Sequence, residues 1–225
     1  RSPMTDHVPA WRRETSGELR WPVALVVVLT MLAQLSIPAA FTAGPQWLFP
    51  GIEALMLALL VVTNPGEIRH PHRYLRYVSL ALTATMSLSV VASAIRLIEG
   101  LLDGSVTNDP FTLMRVGGTI WLTNVVVMAL WYWELDRGGA SARARNVTMH
   151  PDFLFPQMTS PQFADPDWEP QFLDYLYFSF TNATAFSPTD VLPLTRWAKL
   201  LMLLQSLVSL LTVALIIARA INTLR

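Results

Sequence analysis

The stretch YFSFTNATAFSPTDVLPLT, Tyr177 to Thr195, decides how this chain is read. It is apolar enough to enter a lipid phase, yet Asn182, Pro188, Asp190 and Pro193 interrupt it, and a long apolar helix is expected directly after it. Inside a bilayer, backbone that is not helical must be satisfied by protein or by water. The stretch is therefore either a re-entrant functional element or a connection at the surface.

The rest of the chain has the character of an integral membrane protein. Of its 225 residues, 52% are hydrophobic and only 14% are charged, and the mean hydropathy is +0.40. Soluble domains carry about 25% charged residues. Sixteen basic side chains balance sixteen acidic ones, which excludes the basic footprint of a nucleic-acid binder. Without cysteine, disulfides, thiolate nucleophiles and cysteine-held metals are excluded. Five apolar runs, near 21–43, 47–63, 75–102, 113–135 and 194–221, reach or approach the roughly 20 residues that one crossing needs. The first is longer than the core of a signal peptide and no A-x-A cleavage site follows it, so it is expected to stay in the chain.

The expected fold class is an all-α integral membrane protein of about five transmembrane helices, plus a re-entrant or interfacial half-helix at 172–186. Four regions follow: an N-terminal tail at 1–20, a four-helix membrane region at 21–135, a proline- and aromatic-rich connection at 136–171, and a helix–break–helix module at 172–225. In the connection, prolines 151, 156, 161 and 166 recur every five residues and forbid a regular helix. It is either a linker or a strap that packs Phe153, Phe155, Phe163 and Trp168 on a neighbouring surface. Twelve arginines and lysines fall on one side if each apolar run crosses once: residues 1, 12, 13, 20, 69, 73, 76, 137, 143, 145, 196 and 199. Only Arg115, Arg219 and Arg225 fall opposite. This bias predicts a cytoplasmic N-terminus and an external C-terminus.

The order of short helix, broken segment and long helix over 171–224 resembles the pore module of the potassium-channel superfamily. There a threonine closes the pore helix and D-x-x-P leads into the inner helix; here Thr184, Asp190 and Pro193 stand at those places. The glycine-rich filter is replaced by AFSPT. A potassium filter needs glycine's backbone freedom to aim successive carbonyls at the ion, so potassium selectivity is not expected. A second resemblance spans the C-terminal half, from WLTNVVVMALWYWELDRGG through FLDYLYFSFTNATAFSPTD to the last helix. This half looks like a family of uncharacterised bacterial inner-membrane proteins whose shared block corresponds here to Asp174, Thr189, Asp190, Arg196 and Lys199. That resemblance implies a bacterial plasma-membrane location and no biochemical activity.

Within the last helix, Gln205, Ser209, Thr212, Ile216, Arg219 and Thr223 share one face by their alternating spacing of four and three. Such a stripe either lines a watery pathway or glues helices together, at roughly 0.6–2 kcal/mol per polar contact. Glu53 and Arg96 lie at similar depth inside their runs and are expected to pair, with Glu99 nearby, because a charge within the membrane is costly until it finds a partner. Asn124 and Asn182 are candidates for hydrogen bonds between helices. No catalytic constellation, phosphate-cradling loop, cofactor motif or metal-ligand spacing is evident, so a non-enzymatic protein is expected. The leading expectation is a channel-like permeation protein for cations, surrounded by membrane lipid and working as a homo-oligomer, with a tetramer favoured. Its constriction would be Thr184, Ser187, Thr189 and Asp190, above a vestibule lined by Gln205, Ser209 and Thr212. The alternative is a non-conducting scaffold or accessory subunit. A small-solute carrier has less support, for want of an inverted repeat.

Overall fold

The computed structural model describes residues 8–68, 73–103, 109–184 and 190–223. The chain is mostly helical. Helix α1 spans Trp21–Leu35, α2 Leu48–Thr63, α3 Arg73–Asp103 and α4 Pro110–Leu135. Two short helices follow, α5 (Ala140–Ala144) and α6 (Pro156–Thr159), then α7 (Phe172–Thr184) and α8 (Arg196–Thr223). The only strands among the described residues are β1 (Phe153–Leu154) and β2 (Leu192–Pro193), paired antiparallel with Phe153 opposite Pro193.

Three helices, those starting at residues 73, 111 and 196, are long and apolar enough to cross a membrane. Helices α1 and α2 are shorter, at 15 and 16 residues. At 1.5 Å per residue each covers roughly 23 Å, short of a hydrocarbon core of about 30 Å. The first apolar run of the sequence does not continue as one helix to residue 43. Ser36 caps α1, Pro38 cannot donate to the preceding turn, and a single 3-10 turn at Ala39–Phe41 takes its place.

Helix α4 is the centre of the bundle and packs against α1, α3, α7 and α8. Its residues from Thr123 to Leu130 are buried without interruption. The pairings fix direction. From one end of α4 to the other, Tyr132 meets Gln205, Trp121 meets Ser209, and Gly117 lies against Ile216, so α8 runs antiparallel to α4. Along the same helix Trp133 stacks edge-on against Phe172 and Trp121 against Phe180, so α7 is also antiparallel to α4.

The connection from 145 to 171 is a docked strap. Phe153 and Phe155 are buried, Trp168 is half-buried against Phe155, and Phe163 alone of the four stands in the open at 88% exposure. Residues 8–20 lie along this strap and the α4–α5 turn. Ala10 N–H donates to Pro166 O, Thr15 N–H to Ala144 O, and the Thr15 hydroxyl to Glu169. The turn from α4 to α5 requires Gly139 at φ 93°; a Cβ there would sit 3.0 Å from Glu134 O.

At Gly117 the α8 side chain of Ile216 packs directly on the backbone of α4, since a Cβ there would fall 2.1 Å from Ile216 Cδ1, whereas one on Gly118 would meet nothing within 4 Å. Gly117→Val should therefore lower stability by about 1–3 kcal/mol through overpacking. Gly118→Ala should be neutral or stabilise by up to about 1 kcal/mol through helix propensity. Thermal unfolding in detergent distinguishes the two.

Candidate functional site: the half-helix and its dock

Helix α7 starts beside the C-terminal end of α4 and stops half-way along the bundle. The Ser209 hydroxyl, at the middle of the 28-residue α8, donates to Ala183 O at 2.7 Å. By Leu192 the chain is back at its starting level, hydrogen-bonded to the strap through β1. Helix α7 thus enters and the chain returns at the same end of the bundle.

Polar side chains that would be costly in an apolar interior hold it there by satisfying one another. The Gln205 amide is wholly buried and uses both of its ends. Its Oε1 accepts from Tyr132 Oη at 2.7 Å and Asn182 Nδ2 at 2.8 Å. Its Nε2 donates to Ser179 O at 3.0 Å and Ser179 Oγ at 2.6 Å. Ser179 in turn donates to Val125 O at 2.7 Å, and Trp121 Nε1 donates to Ser209 Oγ at 2.6 Å. Thr212 is buried and donates to Val208 O within its own helix. Gln205, Ser209 and Thr212 therefore face neighbouring backbone and side chains of the same chain. The outer face of α7, with Leu173, Tyr177 and Phe180, borders an apolar cavity of about 480 Å³ shared with α1.

Of the four expected constriction residues, Thr184 and Asp190 are exposed, and the Thr184 hydroxyl donates back to Phe180 O. Ser187 and Thr189 lie outside the described residues. Glu53 and Arg96 are not brought together. Glu53 is fully buried and accepts from Gln34 Nε2 at 3.1 and 3.4 Å, while Gln34 Oε1 accepts from Ser89. A neutral amide thus ties α1, α2 and α3 where an arginine was expected. Arg96 lies 3.9 Å from Glu99 on the same exposed face of α3, a geometry worth little. Asn182 bonds between helices as expected, whereas Asn124 Nδ2 is buried without a hydrogen-bond partner among the described residues.

A second buried cluster, at the entry of α7, was not expected from the sequence. The Arg143 guanidinium donates to Glu18 Oε1 at 3.2 Å, Trp133 O at 2.5 Å and Asp136 O at 3.1 Å. Glu18 also accepts from Trp133 Nε1 and, at 2.9 Å, from the first N–H of α7 at Phe172. Burial raises the Glu18 pKa from its ordinary value, opposed by the Arg143 charge and the Phe172 N–H. Asp136 accepts from Tyr175 Oη at 2.5 Å and from Asp152 N–H at 2.9 Å. Asp152 then holds Trp197 Nε1 at 3.0 Å, at the start of α8. The only sequence signal for this cluster was the acidic and basic run ELDRGG closing an apolar segment.

The site is therefore a half-helix clamped at both ends in a helical bundle that contains three membrane-length apolar helices. Comparison with protein-family models, curated proteins and solved structures finds no match to this chain.

Glu18→Ala should destabilise the fold by about 3–5 kcal/mol by stranding the Arg143 charge, and Glu18→Leu with Arg143→Met together should recover most of that. Gln205→Leu should cost about 1–3 kcal/mol by leaving the Tyr132, Asn182 and Ser179 groups without partners. Both are read by thermal unfolding of the detergent-solubilised protein.

Proposed function

We propose that this chain is a channel-like permeation protein of the bacterial plasma membrane, working as a homo-oligomer and passing cations without potassium selectivity. The observation that carries the reading is the course of α7: in from one end, half-way down the bundle, and out at the same end. A surface connection would not need an interior dock of four interlocked side chains, Tyr132, Ser179, Asn182 and Gln205. The C-terminal end of α7 carries the negative end of its helix dipole, with Thr184 exposed beside it, and this favours cations at the tip.

In this reading the chain crosses five times. Helices α1 and α2 span a locally thinned bilayer, and the arginine-rich end, with the N-terminus, is cytoplasmic. The constriction is built from Thr184, Ser187, Thr189 and Asp190 of several copies. Gln205, Ser209 and Thr212 take a different part from the vestibule first expected of them: they fix the half-helix that carries the constriction.

One observation favours a non-conducting scaffold instead: Gln205, Ser209 and Thr212 of the α8 stripe are buried inside a single chain. Cation flux into liposomes separates the readings. Thr184→Val and Asp190→Asn are each expected to lower flux tenfold or more while the protein elutes and melts like the wild type. If both variants conduct like wild type, or if the wild type is a monomer in lipid nanodiscs, permeation is ruled out and the scaffold stands.

A further inference from the structure

At the arginine-rich end of the bundle, a cavity of about 460 Å³ opens between the start of α1, the end of α2, the start of α3 and the α4–α5 turn. Four arginines line it, Arg20, Arg73, Arg76 and Arg145, against one carboxylate, Glu134. Arg20 is buried and donates to Asn64 O at 2.9 Å, at the end of α2. Arg76 donates to Gly138 O, and Arg145 Nε to Ser141 O at 3.1 Å, and among the described residues the rest of each guanidinium fork has no hydrogen-bond acceptor. Glu134 is buried and accepts from Ser79. Among the described residues no carboxylate forms an ion pair with any of the four arginines.

Three exposed aromatic side chains lie at the same end of the helices: Trp21 at the first position of α1, and Tyr74 and Tyr77 in the first turns of α3. Tryptophan and tyrosine so placed settle at the headgroup level of a bilayer. Below them, Leu55, Leu59 and Val62 of α2 are exposed and apolar, a surface suited to acyl chains.

We infer that this cavity is a binding site for a phosphate-bearing anion, supplied by the headgroup of an anionic phospholipid. Guanidinium forks match phosphate oxygens bidentately. A basic pocket between helices at the cytoplasmic side is suited to such headgroups. Among the described residues the positive charge in excess of Glu134 forms no ion pair, and the belt of aromatic side chains sets the depth at which a lipid, and not a solute, presents its phosphate. The bound headgroup would bridge α1, α3 and the α4–α5 turn. The inference requires a membrane but not permeation, so flux and lipid retention fail independently.

The test is native mass spectrometry of the full chain released from nanodiscs of phosphatidylglycerol and phosphatidylethanolamine in equal amounts. The wild type should retain phosphatidylglycerol in preference. Arg73→Gln with Arg145→Gln, both exposed side chains, should cut that retention by roughly tenfold or more, with circular dichroism unchanged. Arg73→Lys with Arg145→Lys should restore part of it. Equal retention of the two lipids by the wild type, or unchanged retention in the glutamine pair, overturns the site. Glycerol phosphate bound in the same pocket with no lipid retained overturns the lipid source and leaves a soluble anion as the occupant.

Discussion

A guanidinium has no place in a protein interior unless every direction in which it donates meets an acceptor. Arg143 finds three acceptors, the carboxylate of Glu18 and the carbonyls of Trp133 and Asp136, with the rings of Trp133 and Tyr175 flanking it. Removing such a charge from water costs several kcal/mol, and only this geometry repays it. To supply it, four separate pieces of chain must converge: the segment before α1, the end of α4, α5 and the start of α7. The position of α7 is thus set by an electrostatic demand made elsewhere in the sequence.

The far end of α7 answers a different demand. Amide and hydroxyl groups on α4, α7 and α8 are surrounded by leucine, valine and phenylalanine, and they satisfy one another through Gln205. Charge holds one end of the half-helix and neutral hydrogen bonds hold the other. Between them Tyr132, Phe153, Phe178 and Trp197 pack as an aromatic cluster, with centroids 4.8–5.6 Å apart. Rigidity at the root and at the tip of an inserted element is what a selective constriction needs. The same clamping would serve a purely structural insert.

Much of the helical plan was legible in the sequence, because long apolar runs and proline breaks dominate local structure. The half-helix expected at 172–186 is α7 at Phe172–Thr184, and the long helices fall within a few residues of their apolar runs. The shortening of α1 could have been read from Pro38. What periodicity could not show was partner choice. Glu53 lies at the level of Ser89, to which Gln34 ties it, about two helical turns before Arg96 on α3, and run boundaries alone do not give depth to within a turn. Arg20, Arg137 and Arg143 were counted as loop charges for topology, but all three are buried at the bundle's end. Charge counting records on which side a residue lies and is silent on whether it is wet. The candidate site was legible in outline through Asn182, Gln205 and Ser209, while the Glu18–Arg143 lock was not, since its members are 125 positions apart.

The two-residue ladder between the strap and the approach to α8 has a consequence for how the molecule can be divided. Leu154 pairs with Leu192, and the neighbouring Phe153 fills the space between Tyr132, Phe178 and Trp197. A segment that looks extramembranous by composition therefore supplies the keystone of the buried part. Excising it, or grafting the last two helices onto another protein, would take away the wedge against which they seat. Among the described residues the strap and the last two helices therefore pack against one another as parts of the same core.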